Sequence, residues 1–64
     1  MAISIKAARV DAGLTQAQVA KGLGKSKTTI VSYEAYDTVP DINTAKAMAA
    51  MFGVTVDEIK WSKE

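Results

Sequence analysis

The residue types that most often carry chemistry are scarce in this 64-residue chain. There is no histidine, which removes the commonest general base and the commonest metal ligand. There is no cysteine either, so neither a disulfide framework nor a thiolate metal cluster is available. Gly24-Lys25-Ser26 ends like a phosphate-cradling loop, yet the position that should hold the other glycine is Val19, and no strand precedes it. Asp57-Glu58 could be read as metal ligands, but acids are favoured at a helix start by capping and by the dipole, which accounts for both. Catalysis, a metal and a cofactor are therefore not expected. Charge is the more informative signal. Up to Tyr33, Lys6, Arg9, Lys21, Lys25 and Lys27 face one acid, Asp11; from Glu34 onward three lysines face six acids. The total is only +1, but a half at +4 beside a half at −3 suits a protein that meets a polyanion with one face.

Helices must position these residues. Alanine, lysine, methionine and glutamine are good helix formers, and nothing alternates with period two for long enough to make a convincing strand. The first helix is expected from about Ser4 to Ala12, with Ile5, Ala8, Arg9 and Ala12 on one face, stopped by Gly13. Thr15-Gln16-Ala17-Gln18 is a capping box that opens a second helix, which turns Val19, Ala20 and Leu23 inward and ends near Gly24; Gly22 weakens its last turn. Ser26 caps a third, running to about Glu34 or slightly beyond and burying Ile30 and Tyr33. After Pro40, Asp41 caps a fourth from Ile42 to Phe52, with the stripe Ile42, Ala45, Met48, Ala49 and Phe52, closed by Gly53. Thr55-Val56-Asp57-Glu58 is a second capping box, opening a short fifth helix, with Trp61 just beyond as either a buried anchor or a dimer contact. The expectation is an all-α, five-helix domain over residues 1–64, without a separate oligomerisation or ligand-sensing domain. No apolar run reaches the roughly 18 residues of a membrane span, and no secretory signal opens the chain, so a cytoplasmic protein with no membrane partner is expected.

Ala20, Gly24, Ile30 and Tyr33 carry the most specific spacing. Two helices crossing steeply over a three- to four-residue turn need a small side chain where they touch, which Ala20 supplies. Gly24 accepts a left-handed turn, and Ile30 with Tyr33 fills the wedge between the helices. That is the recipe of a helix-turn-helix, whose second helix enters the DNA major groove. From Gly13-Leu14-Thr15-Gln16 through Leu23-Gly24, Ser26, Thr29-Ile30 and Tyr33-Glu34 to Pro40-Asp41 and Phe52-Gly53-Val54, the chain resembles the Cro/repressor-type (XRE-like) helix-turn-helix family of phage and bacterial regulators.

The resemblance implies a lambda-repressor-like domain that binds operator DNA, often as a homodimer, and regulates transcription. It places Gln16 at a DNA phosphate, Lys27, Thr28 and Ser32 at base edges, and Ser26 and Thr29 nearer the backbone, with Lys25 among the cations on that face. Lys27 could donate to guanine, and Thr28 offers both a methyl and a hydroxyl. Arg9 and Glu34 match a structural ion pair joining the first helix to the end of the third, which would withdraw Arg9 from phosphate.

Three departures from the family pattern stand out: Lys25 holds a place usually given to a buried aliphatic, Val31 is apolar on a flank expected to be solvated or to face DNA, and the loop after Glu34 differs. An Asn-Gly-Lys-like turn is usual there, but the sequence reads Ala35-Tyr36-Asp37. Without glycine or asparagine a left-handed residue is costly, so the third helix is expected to run on by another turn. Asp37 would repel phosphate, and few cations should give a shallow salt dependence. Val31, Tyr36 and Val39, with Trp61, are candidate protein contacts. They support an alternative in which the chain is a modulator or antirepressor that binds a partner repressor protein.

Overall fold

Hydroxyl and carboxylate side chains write the helix starts. The computed structural model describes residues 2–63 and contains four α-helices: α1 (Ile5–Asp11), α2 (Gln16–Leu23), α3 (Lys27–Glu34) and α4 (Ile42–Phe52). Before each stands a residue with extended backbone whose side chain accepts from a first-turn N–H, as orphan helix donors require. Ser4 accepts from Ala7 at 3.0 Å, Thr15 from Gln18 at 3.1 Å, Ser26 from Thr29 at 3.3 Å, and Asp41 from Thr44 at 2.8 Å. The capping box at α2 is complete, because Gln18 Oε1 accepts from the Thr15 N–H at 2.8 Å.

All four helices end in the same paired hydrogen bonds, with a left-handed residue just beyond the last turn. Gly13, Gly24 and Gly53 fill that position after α1, α2 and α4. After α3 it is filled by Tyr36, with φ 62°, the one non-glycine residue with positive φ among the described residues. Tyr36 donates to the Tyr33 carbonyl at 3.1 Å, and Asp37 donates to the Ser32 carbonyl at 3.0 Å. The expected extension of α3 therefore does not occur. A left-handed tyrosine costs about 1–2 kcal/mol, and its hydroxyl offsets that cost with two long-range bonds. It donates to the Lys60 carbonyl at 2.9 Å and accepts from the Ile5 N–H at 3.4 Å.

The fifth helix is also corrected. Thr55 opens only a 3₁₀ turn, Val56–Glu58, in which the Glu58 carboxylate accepts from the Thr55 N–H at 3.3 Å and from its hydroxyl at 2.9 Å. The backbone then extends into β2 (Ile59–Lys60), which pairs in parallel with β1 (Ile3–Ser4), Ile3 opposite Ile59 and Ser4 opposite Lys60. Strands of two residues are too short to show an alternating pattern. The all-α class stands, with four α-helices and a small clasp joining the two ends.

Each helix contributes one fully buried large side chain to the core: Ile5, Val19, Ile30 and Met48. Ala8, Ala20, Tyr33, Ala49, Phe52 and Ile59 complete the cluster. Ala12, Leu23 and Ile42 depart from the expected apolar faces. Ala12 lies exposed at the cap of α1, Leu23 is half-buried, and Ile42, in the first turn of α4, is 60% exposed, so the stripe of α4 begins at Ala45. A Cβ at Gly22 would meet the Met51 methyl, the flexible end of a side chain that would have to shift aside.

Candidate nucleic-acid interface

α2 and α3 make the most extensive helix–helix contact in the molecule. Ala20 is buried on α2, as are Ile30 and Tyr33 on α3, and Gly24 turns the chain between the helices at φ 68°. Lys25 donates to the Ala20 carbonyl at 2.9 Å, which closes α2 and sends the chain directly to the Ser26 cap. Burial of Ile30 and Tyr33 fixes the rotation of α3 about its own axis. Lys27, Thr28 and Val31 are consequently exposed, Ser32 is half-exposed, and Lys21 and Lys25 stand exposed alongside. The hydroxyls of Ser26 and Thr29 lie 3.0 Å apart, tied to each other within the cap.

Acids qualify this basic edge. The hydrogen bond from the Thr44 N–H holds the Asp41 carboxyl below the ordinary value of 3.8, and the charge of Lys25 adds a smaller push in the same direction. Asp37 is exposed just past the end of α3.

Behind α3, three helices meet at Glu34. Arg9, only 9% exposed, donates through Nε and Nη2 to the Glu34 carboxylate and through Nη1 to the Leu14 carbonyl at 2.7 Å. Gln16, half-buried at the first turn of α2, donates from Nε2 to Glu34 Oε1 at 2.9 Å. An amide nitrogen carries two hydrogens, so this bond orients Gln16 while leaving its second N–H unspent. Sequence reasoning missed the link between Gln16 and Glu34, for which the spacing of 18 residues carries no signal.

The candidate protein contacts divide. Val31 and Val39 are exposed at 44% and 59%. Tyr36 is half-buried against the core with its hydroxyl committed, so it drops out of the expected surface patch. Trp61 packs on the core as well, and its indole N–H donates to the Val56 carbonyl at 2.8 Å, the arrangement of an anchor. No pocket opens among the described residues, and they bring together no group of three or more His, Cys, Asp or Glu side chains. No helix is long and apolar enough to cross a membrane.

A family model described as helix-turn-helix matches residues 5–59. The chain belongs to the Cro/XRE-type helix-turn-helix family. In this Cro/XRE-type domain, α2 and α3 are the two helices of the motif and the Gly24 turn is its hinge. The domain is similar to the cryptic phage CTXphi transcriptional repressor RstR of Vibrio cholerae, with 34% identity over 55 residues that cover 86% of this chain and 50% of that protein. The chain thus spans about half the length of the curated relative it matches. No solved structure matches it.

Proposed function

We propose that the domain is a transcriptional regulator that binds operator DNA, with α3 in the major groove and α2 across the backbone. The observation that carries this reading is the outward face of α3, where Lys27, Thr28 and Ser32 stand accessible on a complete helix-turn-helix frame. Lys27 donates to guanine O6 or N7, and Thr28 and Ser32 contact neighbouring base edges. Gln16 turns its second amide hydrogen to a phosphate at the N-terminus of α2, held in place by Glu34. Lys25, Ser26 and Thr29 sit along the flanking backbone. Repression is the direction favoured, since the similar phage protein is a transcriptional repressor by name.

Two copies would read a two-fold operator with half-sites about 34 Å apart. The domain measures 28 × 23 × 19 Å, so neighbours at that spacing would come within side-chain reach with the long axis laid along the DNA. The modulator that docks on another repressor has less support, because Tyr36 and Trp61 both make internal bonds and only Val31 and Val39 of its candidate contacts are exposed.

A duplex selected from a random pool, titrated at two salt concentrations, tests the reading. Lys27→Ala should lower discrimination at one base pair by about 1–3 kcal/mol, while Gln16→Ala weakens all sequences alike. An unselective pool whose affinity neither change alters would overturn it.

A further inference from the structure

The outer stripe of α3 holds one large apolar residue, Val31, to which the proposed base contacts assign no role. Positions 28, 31, 32 and 35 follow the i, i+3, i+4, i+7 spacing of one helical face, opposite the buried Ile30 and Tyr33. They hold Thr28, Val31, Ser32 and Ala35, none charged, and three of them carry methyl groups. Val31 lies at the middle of that stripe, one turn from Lys27, and is 44% exposed. Ile30 and Tyr33 supply the core-facing side of α3, and Val31 is not among the side chains of that cluster. Val10, Val39 and Ile42 are more exposed, but of these four only Val31 stands on the outward face of α3.

We infer that Val31 reads thymine, packing its methyls against the C5-methyl group in the major groove, and that the operator carries thymine where Val31 meets it. The inference rests on the proposed DNA-binding mode. In the major groove the C5-methyl is the apolar mark that distinguishes thymine, and a branched aliphatic side chain can recognise it but cannot hydrogen-bond to a base. Thr28, four residues before Ser32 and three before Val31, supplies a neighbouring methyl together with a hydroxyl. Val31 is the purely apolar contact between it and Lys27.

Deoxyuridine in place of thymidine removes the methyl and leaves base pairing intact, so it is the probe. On the pool-selected duplex, uracil is placed at each thymine in turn, and binding is measured for the native chain, Val31→Ala, Val31→Thr and Thr28→Ser. At one thymine per half-site the native chain should lose about fourfold in affinity, the worth of one buried methyl. Val31→Ala should bind the two duplexes within about 1.5-fold of each other, while Thr28→Ser retains the loss. Val31→Thr, which keeps one methyl, should fall between. The inference is overturned if uracil costs the native chain nothing at any position, or if Val31→Ala keeps the full sensitivity. Failure of the native chain to bind any selected duplex would remove the DNA-binding reading itself, and this inference with it. Thermal melts by circular dichroism verify that the exposed substitutions leave the fold intact.

Discussion

The turns on either side of α3 use the same backbone geometry and reach it by opposite means. Before α3, Gly24 adopts φ 68° in open space, with nothing within 4 Å of where a Cβ would stand. After α3, Tyr36 adopts φ 62° against its intrinsic preference, held by the Lys60 carbonyl and the Ile5 N–H. The first turn is permitted by its own residue; the second is imposed by the rest of the molecule. The helix proposed to enter DNA is thus hinged on a locally satisfied turn at its N-terminus. At its C-terminus it is tied through Glu34 and Tyr36 to α1, α2 and the β1–β2 clasp.

If that contrast holds, substitutions at the tied end should cost more than those at the hinge. The largest effect is expected at Glu34, whose loss leaves Arg9 buried and unpaired. Glu34→Ala should lower stability by about 3 kcal/mol, read from urea unfolding, and should free Gln16 from its fixed orientation. Tyr36→Phe comes next. It keeps the ring and the strain but removes both bonds and leaves the part-buried Ile5 N–H without its acceptor, for about 1 kcal/mol. Hydrogen exchange should then report faster opening of the β1–β2 pair. Gly24→Ala places a Cβ in open space and pays only for left-handed backbone, about 1 kcal/mol. A loss there equal to or above that of Glu34→Ala would reverse the contrast.

The smallest effect is expected at Asp41, which caps α4 and lies near Lys25. Its folded carboxyl titrates below the ordinary value of 3.8, mainly because the Thr44 N–H bonds the ionised form. A depressed folded value means that the stabilisation is present above the unfolded value and is lost as pH falls through the folded one. Asp41→Asn keeps a capping oxygen without the titration, so its stability should vary less than the native chain's across that acid range. Acid titration of the two melting temperatures checks this.

Legibility of the sequence followed the same division. Caps and stops that act within four residues, such as Thr15, Ser26, Asp41 and the three glycines, were readable because their chemistry is local. The frame of α2 and α3 was readable for the same reason, since Ala20, Gly24, Ile30 and Tyr33 lie within one short segment. Tyr36 was not, because the bonds that hold it left-handed come from Ile5 and Lys60, 31 and 24 residues away. The β1–β2 clasp was missed since two-residue strands have no period, and Glu58, read as a helix opener, starts only a 3₁₀ turn before the chain is drawn out to pair with Ile3 and Ser4. At the interface, sequence reasoning named the exposed residues of α3, while the bond from Glu34 that orients Gln16 depends on packing between helices.

Amide chemical-shift mapping on a selected duplex tests most directly whether the outward face of α3 meets DNA. The account predicts the largest changes at Gln16 and from Lys25 to Ser32, with the β1–β2 clasp and Trp61 little affected. Shifts centred on the clasp or on the Val39–Ile42 segment, with α3 silent, would contradict it.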